Sequence, residues 1–288
     1  ALNTSTRQWD RELISFAGIR DDIFTELHEP GTKIGVVKGL GELDGIEVVA
    51  TASHDTAAAI AAISFHDRAT EAYISSGTWS LVGVERTSPV TGAAAIAANL
   101  TNELGVDGTV RVLKNVTGMW LLEECRRAWS ESGNEYDITD LLRDAEQCTL
   151  DTLIDPNDPL FAPPGGMPER ITQYCKDRGL TPPVTPAEFT IVILNSLAHA
   201  YKKTLAEITA VTGQTIKVLH IIGGGSQNNL LNQITADICK VTVKTGPVEA
   251  TLFGNIAVQA IAAGIYRNLH EARGVIKKSL RGRVFQPK

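Results

Sequence analysis

Four cysteines in 288 residues are too few and too scattered for a disulfide scaffold. Cys125, Cys148, Cys175 and Cys239 form no CxxC pair and no zinc-ligand spacing. The expected state is four free thiols in a reducing cytoplasm, with Cys148–Cys175 the one pairing left open. Long apolar runs are missing, which excludes a membrane-spanning helix. Positive charge is in deficit: 27 basic against 33 acidic residues, a net charge of −6. The nearest basic cluster, Lys277 to Arg283, is short, so no nucleic-acid footprint is expected. The polar start "ALNTSTRQWD" has no charged and then apolar segment of the signal-peptide kind. It also lacks a methionine, so the chain is expected to be a piece of a longer one. No period of repeat-protein length occurs. GxxxxGK[ST], HExxH and GxSxG are all absent, which removes support for a P-loop ATPase, a zincin and an α/β-hydrolase.

What the sequence does contain is a hydrophobic fraction of 43%, enough for the core of one or two domains. Residues 1–45 are polar and turn-rich, with a short helix near Arg11–Phe16. "GLGELDG" (39–45) leads into a strand rather than a helix, the reverse of a dinucleotide loop, and reads as a turn. From Ile46 onward "IEVVA" reads as a strand and 55–64 as a small-residue helix. Residues 71–85 hold two strand-like runs around a Ser-Gly-Thr tip, a hairpin signal. Residues 108–115 form a further strand, and 118–132 carry apolar residues at helical spacing. A turn-rich loop covers 155–168. Pro186 opens a long amphipathic helix to about Thr212. "IKVLHIIGGGSQNNLLNQITADICKVTV" reads as strand, glycine turn, helix, strand, a βαβ-like unit. A helix over 249–264 ends in a glycine. The alternation implies an α/β fold with a mixed sheet covered by helices.

Four stretches have the residue types that chemistry needs. His54-Asp55-Thr56 opens the small-residue helix. A first-turn aspartate is favoured there by exposed amides and the helix dipole, a purely structural role. The same setting keeps a carboxylate ionised and ready to accept a proton. The Ser75–Ser80 tip offers backbone N–H groups and hydroxyls of the kind that hold phosphate oxygens, although a plain hairpin accounts for it too. Gly223-Gly224-Gly225-Ser226, followed by Gln227 and Asn228, lets another molecule approach the backbone ahead of a helix N-terminus. "PVEATLFGN" (247–255) reads as a capped helix start.

In this order the stretches "ASHDTAAA", "YISSGTWSLVG", "VLKNVTGMWLL", "HIIGGGSQNNLLNQ" and "GPVEATLFGNIAVQ" resemble the second half of an FGGY-type carbohydrate kinase, within the actin-like ATPase (ribonuclease H-like) superfamily. The resemblance runs from about Gly45 to Gly264. It implies a tail of a first actin-like domain over 1–66, carrying the catalytic aspartate, and a C-terminal nucleotide-binding domain over 67–288. It also implies that the N-terminal phosphate loop, much of the sugar pocket and a last helix after Pro287 are missing. Carried over by position, Asp55 is the catalytic base, and His54, Thr56 and Asn115 lie by the sugar. Gly77, Thr78, Glu123, Gly223, Gly224, Gly225 and Gln227 lie by ATP, Glu123 standing where relatives often have Gln. Glu249, Ala250 and Gly254 fall in a second adenosine-side segment. Cofactors are ATP and Mg²⁺, with no dedicated protein metal site. Histidine before the aspartate, where glycerol and xylulose kinases usually have glycine, points to L-rhamnulose phosphorylated at O1. A related ketose such as fuculose, or a non-catalytic actin-like binding domain, is the rival expectation.

Overall fold

The computed structural model of the chain describes residues 1–280 and 282–288. In chain order the strands are β1 (Leu2–Asn3), β2 (Gln8–Trp9), β3 (Lys33–Val36), β4 (Glu47–Val49), β5 (Glu71–Ser76) and β6 (Trp79–Arg86). They continue with β7 (Thr101–Leu104), β8 (Val110–Thr117), β9 (Val218–Ile222), β10 (Thr242–Thr245) and β11 (Val284–Phe285). The helices are α1 (Arg11–Phe16), α2 (Asp55–Ala61), α3 (Ala93–Ala97), α4 (Trp120–Glu131) and α5 (Ile138–Ala145). They continue with α6 (Met167–Asp177), α7 (Pro186–Thr212), α8 (Asn229–Cys239), α9 (Ala250–Ala262) and α10 (Leu269–Ser279). Seven strands form one mixed sheet in the order β11-β10-β9-β5-β6-β8-β7, and β1-β2 and β3-β4 are separate two-stranded pairs. The expected α/β fold with a mixed, helix-covered sheet is therefore present. By contact density the chain divides into two compact units. One comprises residues 1–68, 84–113 and 249–281, the other 69–83, 114–248 and 282–288.

In the second unit β9 runs parallel to both β5 and β10, while β5 and β6 form an antiparallel hairpin. The parallel strands read as near-continuous apolar runs because both faces are covered. Ala72, Tyr73, Ile74, Leu219, Ile221 and Ile222 are all buried. The 27-residue α7 is the longest element, about 40 Å at 1.5 Å per residue. Pro186 sits at its first turn, Thr185 and Glu188 form a reciprocal capping box, and Gly213 ends it in the left-handed region, as capping chemistry requires. Ile193, Leu194, Leu197 and Ala198 are fully buried on it, and the Tyr201 hydroxyl meets Ser80 Oγ at 2.7 Å. Burial pushes that phenol up to about 12, so it serves as a neutral hydrogen-bonding group.

The first unit is built around α2 and α9. Ala57, Ala58 and Ala61 of α2, Val258 of α9, and Ala52, Val106 and Leu269 form one buried cluster. Alanine-rich surfaces let two helices approach closely, and α9 answers with Gly254. A Cβ there would fall on the Ala58 carbonyl oxygen and 2.6 Å from its carbonyl carbon. Arg273 of α10 closes the far end. Its guanidinium donates to the Ile60 and Ala61 carbonyls at 3.0 Å each and pairs with both oxygens of Glu85 at 2.8 and 3.0 Å. Arg273 and Glu85 are both buried. The last-turn carbonyls of α2, which have no partner inside their own helix, are thus satisfied by a charged donor on the side the helix dipole favours.

Candidate active site

In the first unit, Ala52 is buried while Ser53, His54 and Asp55 are exposed. Ser53 adopts φ +61°, a left-handed conformation unusual for a residue with a side chain. It turns the chain into the helix. His54 is the N-cap in extended conformation, and its Nδ1 accepts the Thr56 amide at 3.2 Å. The same Nδ1 lies 3.1 Å from Asp55 Oδ1. Asp55 Oδ1 accepts the same amide at 2.6 Å and the Thr56 hydroxyl at 3.2 Å. The Asp55 side chain is 75% exposed. Among the described residues, no hydrogen bond reaches its second oxygen. The carboxylate is therefore fixed by one oxygen and idle at the other, the arrangement a proton acceptor needs. Thr56 itself is buried, so its hydroxyl orients Asp55.

The second unit brings two of the singled-out stretches together. At the hairpin tip the Gly77 amide donates to Trp79 O at 2.8 Å. The Gly77 and Thr78 carbonyls accept from the amides of Gly118, Met119 and Trp120 at 3.0–3.2 Å. The start of α4 is thus docked on the tip. Gly77 and Thr78 are exposed. Ser76, immediately before them, touches the glycine bend. Gly223 has φ +80°, and a Cβ on it would lie 2.8 Å from Ser76 O. A Cβ on Gly225 would overlap Ser76 Oγ, whereas nothing lies within 4 Å of one on Gly224. Two of the three glycines are thus required by the chain's own packing, and Gly224 alone faces open space. A short 3-10 turn, Gly224–Gln227, separates the bend from α8. Asn228 Oδ1 caps that helix by accepting the Leu231 amide at 3.0 Å. Gln227 is exposed.

Asn115 is exposed on β8. Glu123 lies on the surface in an i,i+3 pair with Arg126 at 3.0 Å, an arrangement that contributes about 0–1 kcal/mol. Its neighbour Glu124 is buried and accepts the Gly165 amide at 2.7 Å. Beside Thr78 lies a cavity of about 440 Å³ lined by Trp79, Trp120 and Phe161 with Thr117, Asn157 and Asp158. Asn157 Oδ1 accepts the Thr117 amide at 2.9 Å, and the Trp120 indole donates to Phe161 O at 3.2 Å. The loop 155–168 thereby becomes a wall of this cavity, a role its composition did not announce. The four cysteines are free thiols. Burial pushes Cys239 up to about 12 and Cys125 further upward, so neither is a nucleophile at neutral pH. Among the described residues, no three His, Cys, Asp or Glu side chains could share a metal ion, and no helix is long and apolar enough to cross a membrane.

Sequence reasoning missed Thr251 and Arg273. Arg273 does leave a signal: it stands at helical spacing in the stripe Leu269, Ala272, Arg273, Ile276, where an apolar residue is expected. Thr251 leaves none.

Residues 72–263 match the description "FGGY family of carbohydrate kinases, C-terminal domain". The chain belongs to the FGGY family of carbohydrate kinases. Among FGGY relatives, the chain is 40% identical over 291 residues to a rhamnulokinase of Bacteroides thetaiotaomicron, covering 99% of this chain and 59% of that protein. It is 40% identical over 293 residues to a rhamnulokinase of Enterococcus faecalis, covering 99% and 58%. The chain thus spans less than two thirds of the length of the curated relatives it matches. A ligand-bound xylulose kinase from Lactobacillus acidophilus superposes with a TM-score of 0.74 at 17% identity, covering 100% of this chain and 58% of that one. A glycerol kinase of Plasmodium falciparum with ADP superposes at 0.76 and 16%, covering 98% and 56%. At such identities the likeness establishes the fold alone, the actin-like ATPase fold of FGGY kinases.

Proposed function

We propose that the full-length protein carrying this chain transfers the γ-phosphoryl group of ATP to O1 of L-rhamnulose, with Asp55 as the base. The observation that carries the reading is the exposed, half-satisfied Asp55 carboxylate in a chain 40% identical along 99% of its length to rhamnulokinases. Phosphoryl transfer asks little covalent chemistry of a protein; it asks for in-line placement and charge stabilisation. In this reading the idle oxygen of Asp55 takes the proton as the sugar O1–H bond breaks. The new O1–P bond forms, and the bond from the γ-phosphorus to the β–γ bridging oxygen breaks, releasing ADP. His54 and Thr56 orient the carboxylate and border the sugar, with Asn115 as a further sugar-side contact. Thr78 and Gly77 serve the phosphate side. Gly224 and Gln227 serve the adenosine side, with Gly223 and Gly225 shaping the bend and Glu123 as a further nucleotide-side contact.

Mg²⁺ supplies charge neutralisation at the phosphates. An ion that keeps water and phosphate oxygens as ligands needs few protein donors. Residues 1–66 in this reading are the tail of an N-terminal domain whose remainder completes the sugar pocket, and 67–288 are the nucleotide-binding domain. A cytoplasmic location follows from the use of ATP and free thiols.

The test is Asp55→Asn in the full-length protein, assayed by ADP release with L-rhamnulose and, separately, fuculose. A positioned base contributes about 10²–10⁴-fold, so turnover should fall by that factor while ATP-analogue binding holds. Unchanged turnover removes Asp55 from the mechanism. Faster turnover of another ketose reassigns the sugar.

A further inference from the structure

The helix that carries Asp55 has no means of placing itself. α2 is seven residues long, below the length at which a helix holds its own shape in water. Apart from Asp55 and one isoleucine, it presents only alanine and threonine side chains. Its location is therefore set by what touches its backbone, and that is α9. Gly254 lies so close that a single added methyl would overlap the Ala58 carbonyl. One turn earlier, the Thr251 hydroxyl donates to the main-chain carbonyl of Asp55 itself at 3.2 Å. Arg273 pins the opposite end through the Ile60 and Ala61 carbonyls.

We propose that Thr251 and Gly254 are positioning residues for Asp55: α9 acts as a gauge that fixes where the carboxylate stands, through backbone contact rather than through any contact with substrate. The inference rests on Asp55 being the base. Moving a 2.6 Å approach out to the ordinary carbon–carbon contact of about 3.5 Å shifts α2 by about 1 Å. A misplacement of that size costs about 10²-fold in rate.

The experiment compares Gly254→Ala, Thr251→Val, Thr251→Ser and Asp55→Asn in the full-length protein, by kcat, KM for ATP and melting temperature. Gly254→Ala should lower kcat about 10²-fold while KM for ATP barely moves. Thr251→Val removes one hydrogen bond and should lower kcat about five-fold, the effect of roughly 1 kcal/mol. Thr251→Ser keeps the donor and should recover most of that loss, which a merely destabilised fold would not do. In the Asp55→Asn background, Gly254→Ala should lower the residual rate no further, because no base is left to misplace. Folded Gly254→Ala protein with wild-type kcat overturns the proposal, as does an equal loss in the Asp55→Asn background. If Gly254→Ala does not fold, the Thr251→Val and Thr251→Ser pair decides alone, and equal kcat in both overturns it. Wild-type turnover in Asp55→Asn overturns the reading of the base instead, a separate outcome from the failure of the gauge.

Discussion

The helix start at Asp55 and the triple-glycine bend look alike in sequence: each is a short polar or flexible stretch where an apolar run meets a helix. Their structures divide the work in opposite ways. At Asp55 the functional group is exposed and its support is buried, in Gly254, Arg273 and Glu85. At the bend most of the glycines are themselves the support. Gly223 and Gly225 fit against Ser76, and only Gly224 is left to face solvent. A glycine run is evidence of close approach, and the approaching partner has first to be sought inside the chain.

The largest stability effect that sharpens this contrast is at Arg273. Arg273→Met removes a bidentate partner of the buried Glu85, takes the charged donor from the Ala61 carbonyl and leaves the Ile60 carbonyl only the Ile63 amide. Breaking a buried ion pair from one side costs about 3–5 kcal/mol when the remaining charge has no other partner; with Arg68 still 2.6 Å from Glu85 the loss should fall below that range, read as a drop in the denaturation midpoint of the chain. A loss below about 1 kcal/mol, the scale of a surface pair, would show that α2 is held by α9 alone. The bend gives a finer test. Gly225→Ala pushes a methyl into Ser76 and should destabilise by about 1–3 kcal/mol, the range for overpacking. Gly224→Ala meets nothing and should stay within about 0.5 kcal/mol in stability. Its effect is expected in ATP-analogue affinity instead. Equal destabilisation by the two would abolish the distinction between packing glycine and open glycine.

Much of this was legible in the sequence because the signals are local. The start and end of α7 follow from Pro186 and the run to Thr212, and the βαβ-like segment from its apolar runs and glycines. Asp55 was legible as a first-turn carboxylate. Its support was not, since Arg273 lies 212 residues from the Ala61 carbonyl it caps and only its place in an apolar stripe hints at burial. The strand β7 and helices α3, α5, α6 and α10 were not singled out. β7 has a weakly alternating pattern, and α3 is five residues long. The joining of hairpin tip and glycine bend through Ser76 is a consequence of β5 pairing with β9, which no local pattern encodes.

The smallest expected effect isolates what makes Asp55 different from an ordinary capping acid. Glu188 is a first-turn carboxylate in the same chain, held like Asp55 through one oxygen, but inside the capping box of α7. Its Oε2 accepts the Thr185 and Val184 amides at 2.9 and 2.8 Å. These two bonds, Thr185 first, hold its carboxyl below the usual value. A group depressed in the folded state contributes stability that is present above its unfolded value and lost as pH falls through the folded one. Glu188→Gln keeps an acceptor but cannot titrate. Wild type should therefore be slightly more stable than Glu188→Gln at neutral pH, with the gap closing between about pH 5 and pH 3. The side chain lies at the surface, so the gap is small and shrinks further with salt. Melting curves of the two proteins across that range measure it, and a gap that widens in acid contradicts the assignment. Turnover of the full-length protein should be indifferent to Glu188→Gln and lowered about 10²–10⁴-fold by Asp55→Asn. Two first-turn acids, each held through one oxygen, are then separated by where the fold puts them: Asp55 on the short helix gauged by α9, Glu188 in the capping box of α7.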